Sequence, residues 1–284
     1  MLLLAGTIPR HKGSIISGSV EYHEGSIKVG DMELPVGRGT AALAGAAAFM
    51  CAILDINSPV ALLCGDIGQK STSSNIYHAL QDFLKKNDVK VLTLHYMMPN
   101  IFYHKKLIEI ITAREPRPFL IADAGSMYVA KAAGQARIYD LFTPDVGEMA
   151  FLADDKADHP AYTRGFICHL EGEVPALIER AYRYHNTAKY LCVKGSVDYI
   201  CCEGSILERV SEPSVEALEA IGGTGDTLTG IVSALVYKGM SFNEACLYAA
   251  KINRWAGKLA HPTPATQIST IIEHLPEAFG EVIK

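Results

Sequence analysis

The chain has 284 residues, 49% hydrophobic and 20% charged, with a formal net charge of −5. A chain of this length and composition is not disordered, and it buries a core without disulfide or metal staples. The acidic balance excludes a general nucleic-acid binder, and no apolar run approaches the length of a membrane span. The apolar start, residues 1–6, lacks a basic segment and a long apolar stretch. It reads as a first strand rather than a secretion signal, which predicts a cytoplasmic protein. Short strands follow at 15–20 and 26–29, broken by Gly18, Gly25 and Gly30, and residues 31–34 alternate in polarity like a half-exposed strand.

After residue 37 the texture changes. Residues 39–54 are small, apolar and alanine-rich, the pattern of a buried helix. Strands are predicted at 60–64, 89–94, 119–122, 141–143, 190–193 and 199–202. Helices are predicted at 71–86, with Ser/Thr caps at its start and Lys85 and Lys86 at its end, and at 102–114, 126–133, 174–185, 225–238, 242–260 and 268–273. Strands alternating with helices imply crossover units and a mostly parallel sheet, with ligands at the carboxyl ends of the strands. The charged stretch 153–159 reads as a solvated loop. Seven cysteines form no C-x-x-C framework, so they read as reduced core residues, and the vicinal Cys201 and Cys202 should face opposite sides of a strand.

The strongest signal is Ala-Ile-Gly-Gly-Thr-Gly-Asp-Thr-Leu-Thr-Gly over 220–230. Three glycines in four positions do not belong inside a helix or strand, and a regular apolar helix follows, ending at Gly239. A glycine loop that runs into a helix N-terminus is an anion site, because the backbone approaches a phosphate closely and the first-turn N–H groups point at it. Asp226 sits at the mouth of that helix, where a carboxylate stays ionised and can accept a proton from a substrate hydroxyl. Gly223, Thr224 and Gly225 would hold the transferring group. The alternative, a capping aspartate after a glycine turn, loses because other pieces agree. Lys194, Gly195 and Ser196 follow a strand directly, and a Lys-Gly turn there meets a phosphate with both ammonium and backbone. Residues 143–148, Thr-Pro-Asp-Val-Gly-Glu, also follow a strand, and Glu148 either orients a metal-bound water or charges a first helical turn.

Gly-Gly-Thr-Gly-Asp at 222–226, then Leu228 and Gly230, resembles the anion-hole signature of the ribokinase-like superfamily. The order Asp-Ala-Gly at 123–125, Thr-Pro-x-x-Gly-Glu at 143–148, Val-Lys-Gly at 193–195, the glycine loop, and a helix with Ala256-Gly257 is closest to the branch that holds the ADP- or ATP-dependent NAD(P)H-hydrate dehydratases. The resemblance covers about half the chain, residues 119–260. It implies an α/β three-layer sandwich, one domain over 1–284, with 1–36 a β-rich edge or lid. By that resemblance Lys194, Gly195, Ser196, Val197 and Asp198 match the nucleotide-binding turn, and Gly225 and Asp226 match the anion-hole glycine and catalytic aspartate. Residues 39–48, with Gly39, Ala44 and Gly45, resemble the small-residue helix on the substrate side. ATP or ADP with Mg²⁺, a small hydroxyl-bearing substrate and a homo-oligomer are implied. Two places depart from the branch: Asp145 stands where it carries a histidine, and 95–100, His-Tyr-Met-Met-Pro-Asn, stands where it carries a Gly-Pro-Gly turn. Meanwhile 60–68 loosely resembles the sugar and nucleoside kinases.

Three functions fit these residues, with the first, a sugar or vitamin kinase, as the main expectation and the second as its alternative. A small-molecule kinase would use Asp226 as base, with a substrate side altered at His95 and Asp145. An NAD(P)H-hydrate dehydratase would phosphorylate the hydrate's hydroxyl with the same loop and then release phosphate. A non-catalytic nucleotide sensor would not need a carboxylate beside phosphates, which repels them. His78, His95 and His104 are too irregularly spaced to be a metal set, although His95 and Tyr96 at a strand end can face substrate. Trp255 reads as packing.

Overall fold

The computed structural model describes residues 1–10, 14–67, 73–157 and 173–283. Strand β1 (Leu2–Ile8) is followed by an antiparallel set, β2 (Ile15–His23), β3 (Ser26–Val29) and β4 (Met32–Pro35). Then come α1 (Thr40–Ile53), β5 (Val60–Gly65), α2 (Ser73–Lys86), β6 (Val91–His95), α3 (Ile101–Thr112), β7 (Phe119–Asp123), α4 (Gly125–Ala132), β8 (Leu141–Phe142), α5 (Val146–Leu152), α6 (Val174–Arg183) and β9 (Tyr190–Val193). The hairpin β10 (Asp198–Cys202) and β11 (Ser205–Val210) leads to α7 (Thr224–Lys238), α8 (Phe242–Leu259), α9 (Ile268–Glu273) and α10 (Leu275–Val282).

All strands among the described residues join one sheet in the order β11-β10-β9-β8-β7-β6-β1-β5-β2-β3-β4. The stretch from β9 through β5 is parallel, and antiparallel strands extend it at both ends. The β-rich element expected over 1–36 therefore divides. Leu2–Ile8 is almost wholly buried and lies between β5 and β6 at the sheet's centre, while β2–β4 form the extension. Burial on both faces explains why β1 reads as an unbroken apolar run.

Helices cover both faces, which makes the sandwich three-layered. Leu2 and Leu4 point into the core under α1, α7 and α8; Leu3 and Ala5 point into the core under α2 and α3. That is the period of two expected of a strand. Helix α1 crosses α7 so tightly that a Cβ on Gly230 would stand 2.3 Å from the Leu43 carbonyl oxygen. The small residues at 39–48 make this crossing possible. Ala44 is buried in the core, and a Cβ on Gly45 would meet Tyr22, Val36 and Ile27 beneath β2–β4, so neither lines a substrate cleft.

Strand β11 and helix α10 escape the sequence pattern: β11 is exposed along most of its length, so it lacks an apolar signature, and α10 follows α9 after a single residue, His274. Cys201 is buried and Cys202 half-exposed, as strand alternation requires, and Cys168 lies outside the described residues. The start of the helix expected at 71 and the end of the charged stretch at 158–159 also lie outside them.

Candidate active site

The carboxyl ends of the parallel strands carry the candidate site. Thr7 is the penultimate residue of β1, His95 ends β6 and Asp123 ends β7; Asp145 follows β8 and Lys194 follows β9, joined by a parallel bridge. This is the edge where parallel sheets bind ligands. Helix α7 enters from one face with its N-terminus over the cluster. Gly223 caps it in the left-handed region (φ 107°), a conformation that strains any side chain, and a Cβ there would meet Ile268 at 2.9 Å. The first intrahelical bond runs from the Thr227 N–H to the Gly223 carbonyl oxygen, so the amides of Thr224, Gly225 and Asp226 precede it and are free for an anion.

Asp226 is fixed at both oxygens. Its Oδ2 accepts the Gly39 N–H at 2.7 Å, and its Oδ1 lies 3.0 Å from His95 Nε2. Burial pushes the carboxyl up, but the His95 hydrogen bond and charge, the Lys194 ammonium and the Gly39 amide outweigh it, and the group is held below its usual value. A carboxylate held this way is ionised and fixed in orientation.

Beside it, Lys194 Nζ bridges both oxygens of Asp123 at 2.9 Å. Asp123 also accepts from the Ala124 amide (2.8 Å) and the Thr229 hydroxyl (2.6 Å). Burial alone would pull the ammonium down, but Asp123, Glu148 and Asp226 hold it above its usual value. Lys194 also borders the glycine loop: a Cβ on Gly225 would lie 3.3 Å from Nζ. One ligand atom each from His95, Asp123 and Asp226 lie within 4.8 Å of one another, a spacing that suits a cation. The Lys194 ammonium already sits on Asp123 there, and His95 Nε2 lies 3.0 Å from Asp226.

The remaining expected residues fall in distinct places. Gly195 and Ser196 are exposed on the turn after β9, with Val197 half-buried. Asp198 braces that turn from behind: Oδ1 accepts the Gly195 N–H and Oδ2 accepts Arg254 Nε at 2.7 Å. Its carboxylate is therefore spent inside the fold and does not face a nucleotide. Arg254 completes the brace through the carbonyls of Gly195, Ser196 and Ser211. His95 is 1% exposed and turned towards Asp226, so the strand-end side chain that faces outward is Tyr96, 45% exposed and edge-on to the His95 ring. Burial, then Asp226 and Asp123, push the Tyr96 phenol up to about 12.

Asp145 and Glu148 form a capping box on α5: Asp145 accepts the Glu148 N–H, and Glu148 accepts the Asp145 N–H. Asp145 thus has a structural task at the position where a substrate contact was expected. Glu148 also accepts the Tyr128 hydroxyl at 2.9 Å. Burial, with Asp145 and Asp123 nearby, raises its carboxyl to about 8.

Sequence reasoning assigned no role to Asp123, Thr40, Thr229 or Arg254. For Asp123 a signal existed, since an acid ends the apolar run 119–122 at the carboxyl end of a strand. The others are reached only through the fold.

With this geometry in place, comparison with known proteins is informative. A family model described as NAD(P)H-hydrate dehydratase matches residues 39–277. The chain belongs to the NAD(P)H-hydrate dehydratase family. The match spans Asp226, its Gly39 clamp, the lysine turn and the glycine loop. An uncharacterized protein of Methanocaldococcus jannaschii is 47% identical over 221 residues, 78% of this chain and 90% of the relative. The ADP/ATP-dependent NAD(P)H-hydrate dehydratase of Bacillus subtilis, crystallised with ATP/Mg²⁺, superposes with a TM-score of 0.55 at 14% identity over 85% of this chain and 84% of that one. Escherichia coli phosphofructokinase-2 superposes with a TM-score of 0.58 at 12% identity over 100% of this chain and 99% of that one. The fold is ribokinase-like. Because a sugar-phosphate kinase and a dehydratase share it, the fold alone does not choose between these activities.

Proposed function

We propose that the protein is an ADP- or ATP-dependent NAD(P)H-hydrate dehydratase. The observation that carries this reading is Asp226, ionised and held from both sides, beside the free amides of the glycine loop in a chain whose family match runs through all of these residues.

The chemistry follows from the positions. The hydrate's hydroxyl oxygen forms a bond to the terminal phosphorus of the nucleotide, and the bond from that phosphorus to the rest of the nucleotide breaks. The hydroxyl proton passes to Asp226, while the loop amides and Lys194 balance charge on the moving phosphoryl. The carbon–oxygen bond then breaks, phosphate leaves, and the neighbouring carbon loses a proton to form the double bond. Loss of water is thereby divided into two easier steps. Magnesium fits this edge of the site: Glu148 is pressed by Asp145 and Asp123, and oxygen donors suit a hard cation. Glu148 would hold it through water, and it would neutralise phosphate charge.

The test is direct. Purified protein is mixed with hydrated NADH, Mg²⁺ and either ADP or ATP, and the nicotinamide absorbance is followed. Recovery that requires nucleotide and disappears in Asp226→Asn supports the reading. No recovery with nucleotide binding intact sinks it. That outcome would move the weight to a kinase acting on another hydroxyl, a reading favoured by the commitment of Asp145 to the α5 cap.

A further inference from the structure

His95 has no place in the phosphoryl-transfer scheme, yet it is the most enclosed ionisable partner of the base. A count of hydrogens defines its state. Thr40 Oγ1 lies 2.7 Å from the Thr7 carbonyl oxygen and 2.9 Å from His95 Nδ1. A carbonyl oxygen only accepts, so the Thr40 hydroxyl proton goes to Thr7. Thr40 can then only accept from the ring, and Nδ1 carries a proton. At the other side Nε2 faces Asp226 Oδ1 at 3.0 Å, and an ionised carboxylate also only accepts. Both ring nitrogens therefore donate, and the ring is an imidazolium.

The surroundings agree. Asp226 faces the ring from α7, and Asp123 from β7, with Oδ2 at 3.9 Å from Nε2. The Lys194 cation is turned onto Asp123, the Tyr96 ring stands edge-on, and Thr7 and Thr40 are neutral. Near-complete burial keeps water from competing for either nitrogen.

This arrangement answers a physical difficulty. Nucleotide phosphates beside a carboxylate push its proton affinity up and disfavour the ionised base. A fixed buried cation on the carboxylate's other side opposes that push. We infer that His95 is a positioning residue for Asp226, a buried imidazolium held by the Thr7–Thr40 relay that orients the carboxylate and keeps it ionised when nucleotide is bound. The inference rests on the use of Asp226 as the base.

Two arms test it in the full-length protein. The first needs no substrate: two-bond proton–nitrogen NMR on protein with ring-¹⁵N histidine. His95 is expected to show two protonated nitrogens at neutral pH, and Asp226→Asn to lose that signature. A His95 ring with one protonated nitrogen overturns the proposal. The second arm is kinetic. His95→Gln keeps a donor towards Asp226 but carries no charge. Its kcat is expected to fall about 10- to 100-fold, the scale of a lost charged hydrogen bond, with KM for nucleotide within about twofold of wild type. Thr40→Val removes the relay and should lower kcat in the same direction by less. Wild-type kcat in His95→Gln refutes the role. If wild type turns over no hydrated NADH, the dehydratase reading fails, while the NMR arm still decides the state of His95.

Discussion

The two ends of the sheet carry charge in opposite ways. At the carboxyl ends Asp123, Asp226, Lys194 and His95 are withdrawn from water and bonded to one another. At the amino ends a groove of about 800 Å³ includes Asp55, Asp88, Lys90, Arg117 and Lys238 in its lining. Its cations serve the fold. Lys90 donates to the Tyr237 carbonyl oxygen, Lys238 to that of Leu54, and Arg117 holds Asp140 through two bonds. No glycine loop opens there. Charge held out of solvent, with free amides beside it, marks the carboxyl ends as the candidate site.

The largest effect is expected from Asp226→Asn. It is expected to lower kcat by about 10²- to 10⁴-fold, the scale of a lost general base, and to leave nucleotide affinity close to wild type. Undiminished turnover would remove the carboxyl end from the chemistry. Next, Asp123→Ala leaves the Lys194 ammonium buried without its partner, and urea denaturation should register a loss of about 3–5 kcal/mol. A smaller loss would mean that water reaches the lysine.

Gly223→Ala forces a side chain into the left-handed region and against Ile268. It should cost about 1–3 kcal/mol and weaken nucleotide binding measured by calorimetry. Glu148 supplies a pH test. Its folded-state value, about 8, lies above its ordinary 4.5, so the folded protein binds the extra proton. Stability from this group is complete below the ordinary value and is lost as pH rises through the folded one. Without added metal, Glu148→Gln should lose less stability than wild type between about pH 5 and 8. The smallest effect is the control at the other end of the sheet. Lys238→Met should change stability by no more than about 0.5 kcal/mol and leave turnover unaltered. A loss of turnover there would tie the large groove to catalysis.

Much of this architecture could be read from residue order, and the reasons are local. The glycine loop, the lysine turn and the alternating strands are short-range patterns, and each predicts its own geometry. Ile268–Glu273 and Tyr190–Val193 stand where their apolar spacing puts them. What could not be read depends on distance along the chain. His95 and Asp226 are separated by 131 positions, and Lys194 and Asp123 by 71, so no local pattern announces either pair. The alanine-rich helix was legible as a helix, but its purpose was not. Small side chains serve a ligand and a close neighbour equally well, and only the crossing with α7 distinguishes them. The same holds for Asp198, whose carboxylate turns inward because Arg254, 56 positions later, reaches it.

The contact of Gly230 with Leu43 also has a mechanical meaning. Gly39, which clamps Asp226, lies about one turn from Leu43 on α1, and Asp226 lies about one turn from Gly230 on α7. The crossing is the pivot of a short pair of shears, and the clamp and the base are its two tips. With backbone against side-chain-free backbone at the pivot, the blades have no slack to open. The reactive pair therefore behaves as a single rigid jaw, and whatever movement admits substrate has to come from the parts around it.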